Sequence, residues 1–149
     1  MTIRFTLDDA IQLARRAHEG QLDMAGRPYI GHPLRVMGRL TGDRERMVAV
    51  LHDVIEDTPV TAADLTATGC PPDVVTAVVA ISKNPGEEQT AYLARVAANP
   101  LALTVKRADI ADNMSPDRLA RLDAPTQARL TSKYTAALRL LDELEASHR

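Results

Sequence analysis

Apolar residues recur along the chain at spacings of three and four, and the breaks between periodic stretches carry helix-start chemistry rather than strand turns. The pattern predicts an all-α protein. Thr6 is suited to cap a first helix running to about Glu19, and GQLDMAGRPYI then reads as an irregular loop with two glycines and a proline. A second helix is expected from about His32 to Leu40, with Pro33 in its first turn. Asp43 can cap a third that ends near Thr58, before Pro59. Thr61 with Asp64 resembles a capping box for a short fourth helix, and the valines of PPDVVTAVVAIS predict a largely buried fifth. After the loop KNPGE, residues 87–98 form a sixth, Asn99 and Pro100 start a seventh that reaches about Asn113, and a long last helix follows Pro125.

The third helix carries the least ordinary sequence. In LHDVIEDT, residues 51–58, one histidine and three carboxylates occupy six consecutive positions without a lysine or arginine. On a helical wheel with His52 at zero, Asp53, Glu56 and Asp57 fall at roughly 100°, 40° and 140°, while Met47, Val50, Leu51, Val54 and Ile55 take the opposite arc. One face is core and the other is acid plus imidazole. A solvated helix face usually mixes signs, whereas Asp53 and Asp57 are like charges one turn apart. A divalent metal answers that excess better than an arginine, because His52 stands next to Asp53.

Two further segments change the picture. RPYIGHP places His32 where a loop meets the second helix, a position equally suited to a cap or a packed side chain. In KRADIADN, Lys106, Asp109 and Asn113 line one helix face, and Lys106 with Asp109 could be an ordinary surface ion pair. A metal site would unite the three segments, since His32, His52, Asp53 and Asp109 supply two nitrogens and two oxygens with coordination positions left for water or phosphate oxygen. Glu56 and Asp57, one turn beyond, would then orient a water or accept its proton.

Composition narrows the class of function. At 149 residues, with 45% hydrophobic and 26% charged residues, the chain is expected to form one soluble domain, residues 1–149. A net charge of −2 gives no footprint for nucleic acid. MTIRFTLDDA lacks a signal core and no apolar run approaches the roughly 20 residues that cross a bilayer, so a cytoplasmic protein without a membrane partner is expected. Cys70, the one cysteine, has no internal disulfide partner. HEGQL at 18–22 is not a zinc-protease H-E-x-x-H, and no P-loop, G-x-S-x-G or cysteine pair is present.

With PYIGHP, LHDVIEDT and KRADIADN in this order, and Ala17-His18-Glu19-Gly20-Gln21 before them, the sequence resembles the HD-domain hydrolases of the RelA/SpoT group, closest in size to the small alarmone hydrolases. The resemblance implies an all-helical bundle of about seven to eight helices that binds a divalent metal, usually manganese, through His32, His52, Asp53 and Asp109. It implies Glu56 and Asp57 as the catalytic acidic pair and Asn113 as a pocket residue, with removal of pyrophosphate from the ribose 3′ position of ppGpp or pppGpp as the reaction. No segment matches the synthetase domain of the long members, so synthesis is not expected. Lys106, Arg129 and Tyr134, together with Arg118 and Lys133, are candidates to meet a nucleotide's phosphates. Family members that read guanine commonly carry Arg-Lys where this chain has Asp23 and Met24, and Ser115 replaces an arginine after the K-x-AD segment. Weak base discrimination is therefore expected, which leaves another 3′-phosphorylated nucleotide or a small phosphate ester as the alternative substrate. A non-catalytic nucleotide sensor is the remaining alternative, and oligomeric state stays open.

Overall fold

The computed structural model describes residues 4–147. Helix starts fall where side chains can satisfy the first free amides. Thr6 and Asp9 form a reciprocal capping box for α1 (Leu7–Ala17), and Thr61 with Asp64 does the same for α5 (Ala62–Ala67). Asn99 accepts from the Ala102 amide at the start of α8 (Pro100–Asn113), where Pro100 contributes a preset φ. Between them lie α2 (Gly31–Gly38), α3 (Asp43–Leu51), α4 (Val54–Asp57), α6 (Pro72–Ile81) and α7 (Gln89–Ala97). The chain finishes with α9 (Pro116–Leu119) and α10 (Ala124–Ser147). The expected all-α bundle is present, with eight helices of six residues or more and two single-turn segments, α4 and α9, among the described residues.

Three sequence expectations need correction. The third helix does not run unbroken to Thr58. His52 Nδ1 donates to Ala49 O at 2.5 Å, the carbonyl that the Asp53 amide would use in a regular helix. The ladder stops at His52–Asp53 and resumes when the Asp57 amide reaches Asp53 O at 2.9 Å. Secondly, Asp43 is not the cap of α3; Gly42 holds the extended N-cap conformation, and Asp43 and Glu45 sit in the first turn, where the helix dipole favours acids. Thirdly, α9 was not anticipated: Ser115 accepts from the Arg118 amide and Pro116 follows it, nucleating one turn.

The apolar α6 sits centrally, packed by α3, α5, α7 and α8, while α3 also meets α1 and α2. Leu51, Leu65, Leu93, Ile110 and Leu141 are fully buried within one continuous core. The long α10 buries only Ala137 and Leu141, covering one side of α7 and α8. Among the described residues, no helix is long and apolar enough to cross a membrane. Because α2, α3 and α8 pack against one another, their polar residues are brought to a common point.

Leu51 is the last residue of α3 and wholly enclosed, so Leu51→Ala should lower stability by about 2–5 kcal/mol, through lost transfer energy and the cavity left behind. Urea unfolding checks this, with the exposed Leu22→Ala expected to stay within about 0.5 kcal/mol of the wild type.

Candidate metal centre

The loop between α1 and α2 prepares one wall. Gly20 and Gly26 take φ of 81°, a left-handed conformation that side chains rarely adopt, and an isolated antiparallel bridge joins Leu22 to Pro28 between them. Asp23 Oδ1 accepts from the Ala25 and Arg27 amides at 2.9 and 3.0 Å, so this carboxylate closes its own turn. His18 Nδ1 pairs with Gln21 Oε1 at 2.8 Å, and Gln21 Nε2 donates to Asp57 O at 3.0 Å, tying the loop to α4. The loop thereby presents Tyr29, whose hydroxyl donates to Asp53 Oδ2, and delivers His32 into α2.

Three of the expected ligands converge. His32, His52 and Asp109 are buried, and each places a donor atom within 4.8 Å of the other two. His32 Nε2 and His52 Nε2 lie 2.7 and 3.2 Å from the same oxygen, Asp109 Oδ1. Asp53 adjoins them, with Oδ2 at 3.1 Å from His52 Nε2. Both imidazoles have their other nitrogen occupied: His52 Nδ1 by Ala49 O, and His32 Nδ1 by Asp112 Oδ2 at 2.7 Å, with Arg118 Nη1 at 2.8 Å from the same nitrogen. With the Nδ1 proton held this way, each ring directs its Nε2 lone pair to the common point. The donor set of two imidazoles and two carboxylates therefore fits a first-row divalent ion.

The charges of the cluster act strongly on one another. Burial opposes the charge on His52, but Asp53 and Asp109 outweigh it and hold the imidazole well above its usual range. Burial also opposes ionisation of Asp109, yet Lys106 and His52 hold its carboxyl well below the usual carboxylate range. Desolvation likewise acts against the Asp112 carboxylate, and hydrogen bonds from His32 and Arg35 prevail, bringing it down to about 2. Asp57 moves the other way, pushed up to about 6 by partial burial and by Asp53 and Glu56.

The cleft around the cluster has a cavity volume of about 290 Å³, more than a single small ion occupies. Glu56, Asp57, Lys106, Asn113, Lys133 and Tyr134 all line it. Glu56 Oε1 is fixed by the Lys83 amide at 2.7 Å. Asn113 Nδ2 reaches Asp109 Oδ1 at 3.3 Å, and Lys106 Nζ reaches Asp109 Oδ2 at 3.1 Å while lying 5.4 Å from the Tyr92 ring centre. The Lys106–Asp109 pair is thus no surface ion pair, since both side chains are largely enclosed. Arg129 is exposed on α10 and does not line the cleft. A neighbouring cavity of about 60 Å³ shares Asp23, Met24, Asn113, Arg118 and Tyr134 with the cleft and adds Arg27, Arg35 and Arg121.

Sequence reasoning missed Tyr29, Lys83 and Asp112. Asp112 had a readable signal: it follows Asp109 by three positions and so continues the polar row of α8. Tyr29 lay inside the quoted PYIGHP, but its partner Asp53 is 24 residues away.

Comparison with known proteins follows the same lines. No protein-family model matches the chain. It is 49% identical over 63 residues to the bifunctional (p)ppGpp synthase/hydrolase SpoT of Escherichia coli K12, a match covering 40% of this chain and 9% of that protein. A guanosine-3′,5′-bis(diphosphate) 3′-pyrophosphohydrolase of Haemophilus influenzae is 53% identical over 57 residues, covering 36% and 8%. A longer match, 35% over 147 residues, joins 89% of this chain to 17% of a GTP pyrophosphokinase of Streptomyces coelicolor. The matches therefore span less than a fifth of these relatives. A solved structure of a metazoan ortholog of SpoT, a protein that hydrolyzes ppGpp, superposes with a TM-score of 0.69 at 22% identity, covering 99% of this chain and 98% of that one. By sequence and by fold, the chain is a relative of the SpoT-type proteins, the group that its PYIGHP, LHDVIEDT and KRADIADN segments resemble.

Proposed function

We propose that this chain folds as one domain and is a cytoplasmic, manganese-dependent hydrolase that removes the 3′-pyrophosphate of guanosine alarmones. The observation that carries the reading is the convergence of His32 from α2, His52 at the end of α3 and Asp109 from α8 at the floor of the cleft, with Asp53 beside them. The names of the Escherichia and Haemophilus relatives supply the substrate class.

In the reaction, a water oxygen adds to the phosphorus attached to the ribose 3′ oxygen, the P–O3′ bond breaks, and the 3′ oxygen leaves with a proton as pyrophosphate is released. A divalent ion held by His32, His52, Asp53 and Asp109 supplies a Lewis acid that polarises a phosphoryl oxygen and lowers the pKa of a water. Glu56 and Asp57 hold and deprotonate the attacking water from the rim. Of the two, Glu56 is oriented by the Lys83 amide, and Asp57, with its carboxyl at about 6, is poised to take a proton near neutrality. Lys83 and Lys133 face the cleft as cations for the pyrophosphate, and Asn113 and Tyr134 supply neutral polar contacts. Lys106 serves differently: its ammonium is committed to Asp109, so it steadies a ligand.

One observation favours the alternative of another phosphorylated nucleotide. Asp23 is consumed by its own turn and Met24 is 65% exposed at the cleft rim, so neither provides the stacked cation of an Arg-Lys pair.

Chelator-stripped protein should lose turnover and regain it with manganese. Asp53→Ala should lose bound metal, whereas Glu56→Gln should retain it and lose about 10²–10⁴-fold in kcat, because only the former removes a ligand atom. Metal content measured beside turnover separates the two, and full activity in verified metal-free protein rejects the mechanism.

Substrate choice is checked with a panel of 3′-phosphorylated nucleotides. A weak preference for ppGpp over its adenosine counterpart is expected, and Met24→Lys should raise kcat/KM for ppGpp chiefly through a lower KM. Asp23→Arg, by contrast, should damage the loop that holds Tyr29. A strong guanosine preference in the unmodified protein would place base recognition outside this loop.

A further inference from the structure

We propose that Asp112 is a positioning residue of the metal centre: its buried carboxylate, clamped by Arg35 of α2 and Arg118 of α9, fixes the His32 ring with Nε2 toward the metal. The inference rests on the metal reading of the site. The two imidazoles are steered by unlike means. His52 Nδ1 leans on a backbone carbonyl, Ala49 O, which no side-chain substitution removes. His32 Nδ1 leans on Asp112, which is 2% exposed and lies 80 residues away in sequence.

A carboxylate buried to that degree needs compensation, and here two guanidiniums arrive from different elements. Arg35 Nε donates to Asp112 Oδ1 at 3.0 Å, and Arg118 Nη1 donates to Asp112 Oδ2 at 3.1 Å and to Asn113 Oδ1 at 2.6 Å while lying 2.8 Å from His32 Nδ1; with both of its hydrogens directed to those oxygens, it leaves the Nδ1 proton to Asp112. Arg118 can do this only because Ser115 and Pro116 start the turn of α9 that folds it back over the end of α8. One helix thus supplies a carboxylate to each side of the same imidazole, Asp109 at Nε2 and Asp112 at Nδ1. A carboxylate at Nδ1 keeps the proton on that nitrogen and makes Nε2 the stronger donor. A simple α2–α8 ion pair would instead affect stability and leave metal affinity alone.

Manganese affinity of the purified full chain, read by titration calorimetry, separates these roles. Asp112→Asn keeps the shape and an acceptor oxygen but removes the charge. It should weaken manganese by about 10- to 100-fold at unchanged helical circular dichroism. In zinc-loaded protein the same variant should shift the ring nitrogen resonances of His32 and leave those of His52 in place. Wild-type affinity in Asp112→Asn would overturn the inference, as would equal shifts in both rings, which denote general distortion. If Asp112→Asn does not fold, Arg118→Met removes one side of the clamp from a less enclosed position, and several-fold weaker manganese binding is then expected; unchanged affinity overturns the proposal. Failure of the unmodified protein to bind manganese would reject the metal reading itself and this inference with it.

Discussion

One buried carboxylate organises this molecule. Asp109 is 5% exposed, and its two oxygens are met by His32 from α2, His52 at the end of α3, and Lys106 and Asn113 from its own helix. An ionised carboxylate left unpaired at that depth would cost several kcal/mol, so the crossing of α2 and α3 over α8 is constrained by charge as well as by packing. The apolar core under these helices sets their spacing, and the polar cluster sets their rotation and register. That coupling makes the site rigid before any ligand arrives, because moving one helix would strand the groups on the other two.

The break between α3 and α4 has the same origin. By taking the Ala49 carbonyl, His52 gives up a turn of regular helix and gains a fixed ring orientation. Asp53 can then turn toward Tyr29 while Glu56 and Asp57 restart the helix facing the cleft. Local helical order is sacrificed at the residues where the chemistry is expected, the usual place for such a conflict between propensity and site geometry.

Much of this was legible in the sequence, and the exceptions share a cause. Helix starts at Thr6, Thr61 and Asn99 could be read because a cap and its amide lie within three residues. His32, His52 and Asp109 could be grouped because each is an odd residue in its own segment. The continuous helix through His52 could not survive, since periodicity is blind to a side chain competing for a backbone carbonyl. Tyr29 with Asp53 and Arg118 with Asp112 depend on a folded loop and an unforeseen turn, so no local pattern announces them. Asp23 shows the converse: by position it looked like a charge offered to the cleft, while locally it is a turn former with its acceptor oxygen spent.

The acid without base in LHDVIEDT is balanced only at the level of the whole cleft. Five carboxylates line it, from Asp23, Asp53, Glu56, Asp57 and Asp109, against four cations, Lys83, Lys106, Arg118 and Lys133. When both imidazoles are neutral, the state in which they can ligate an ion, the lining carries a small negative excess, concentrated at the floor, which would repel a polyphosphate. A single divalent ion reverses that excess and places the positive charge beside the residues proposed to handle water. In the proposed function the acidic floor and the cationic rim are complementary halves of one arrangement, in which the floor would hold the ion and the ion-loaded cleft would attract the phosphate chain.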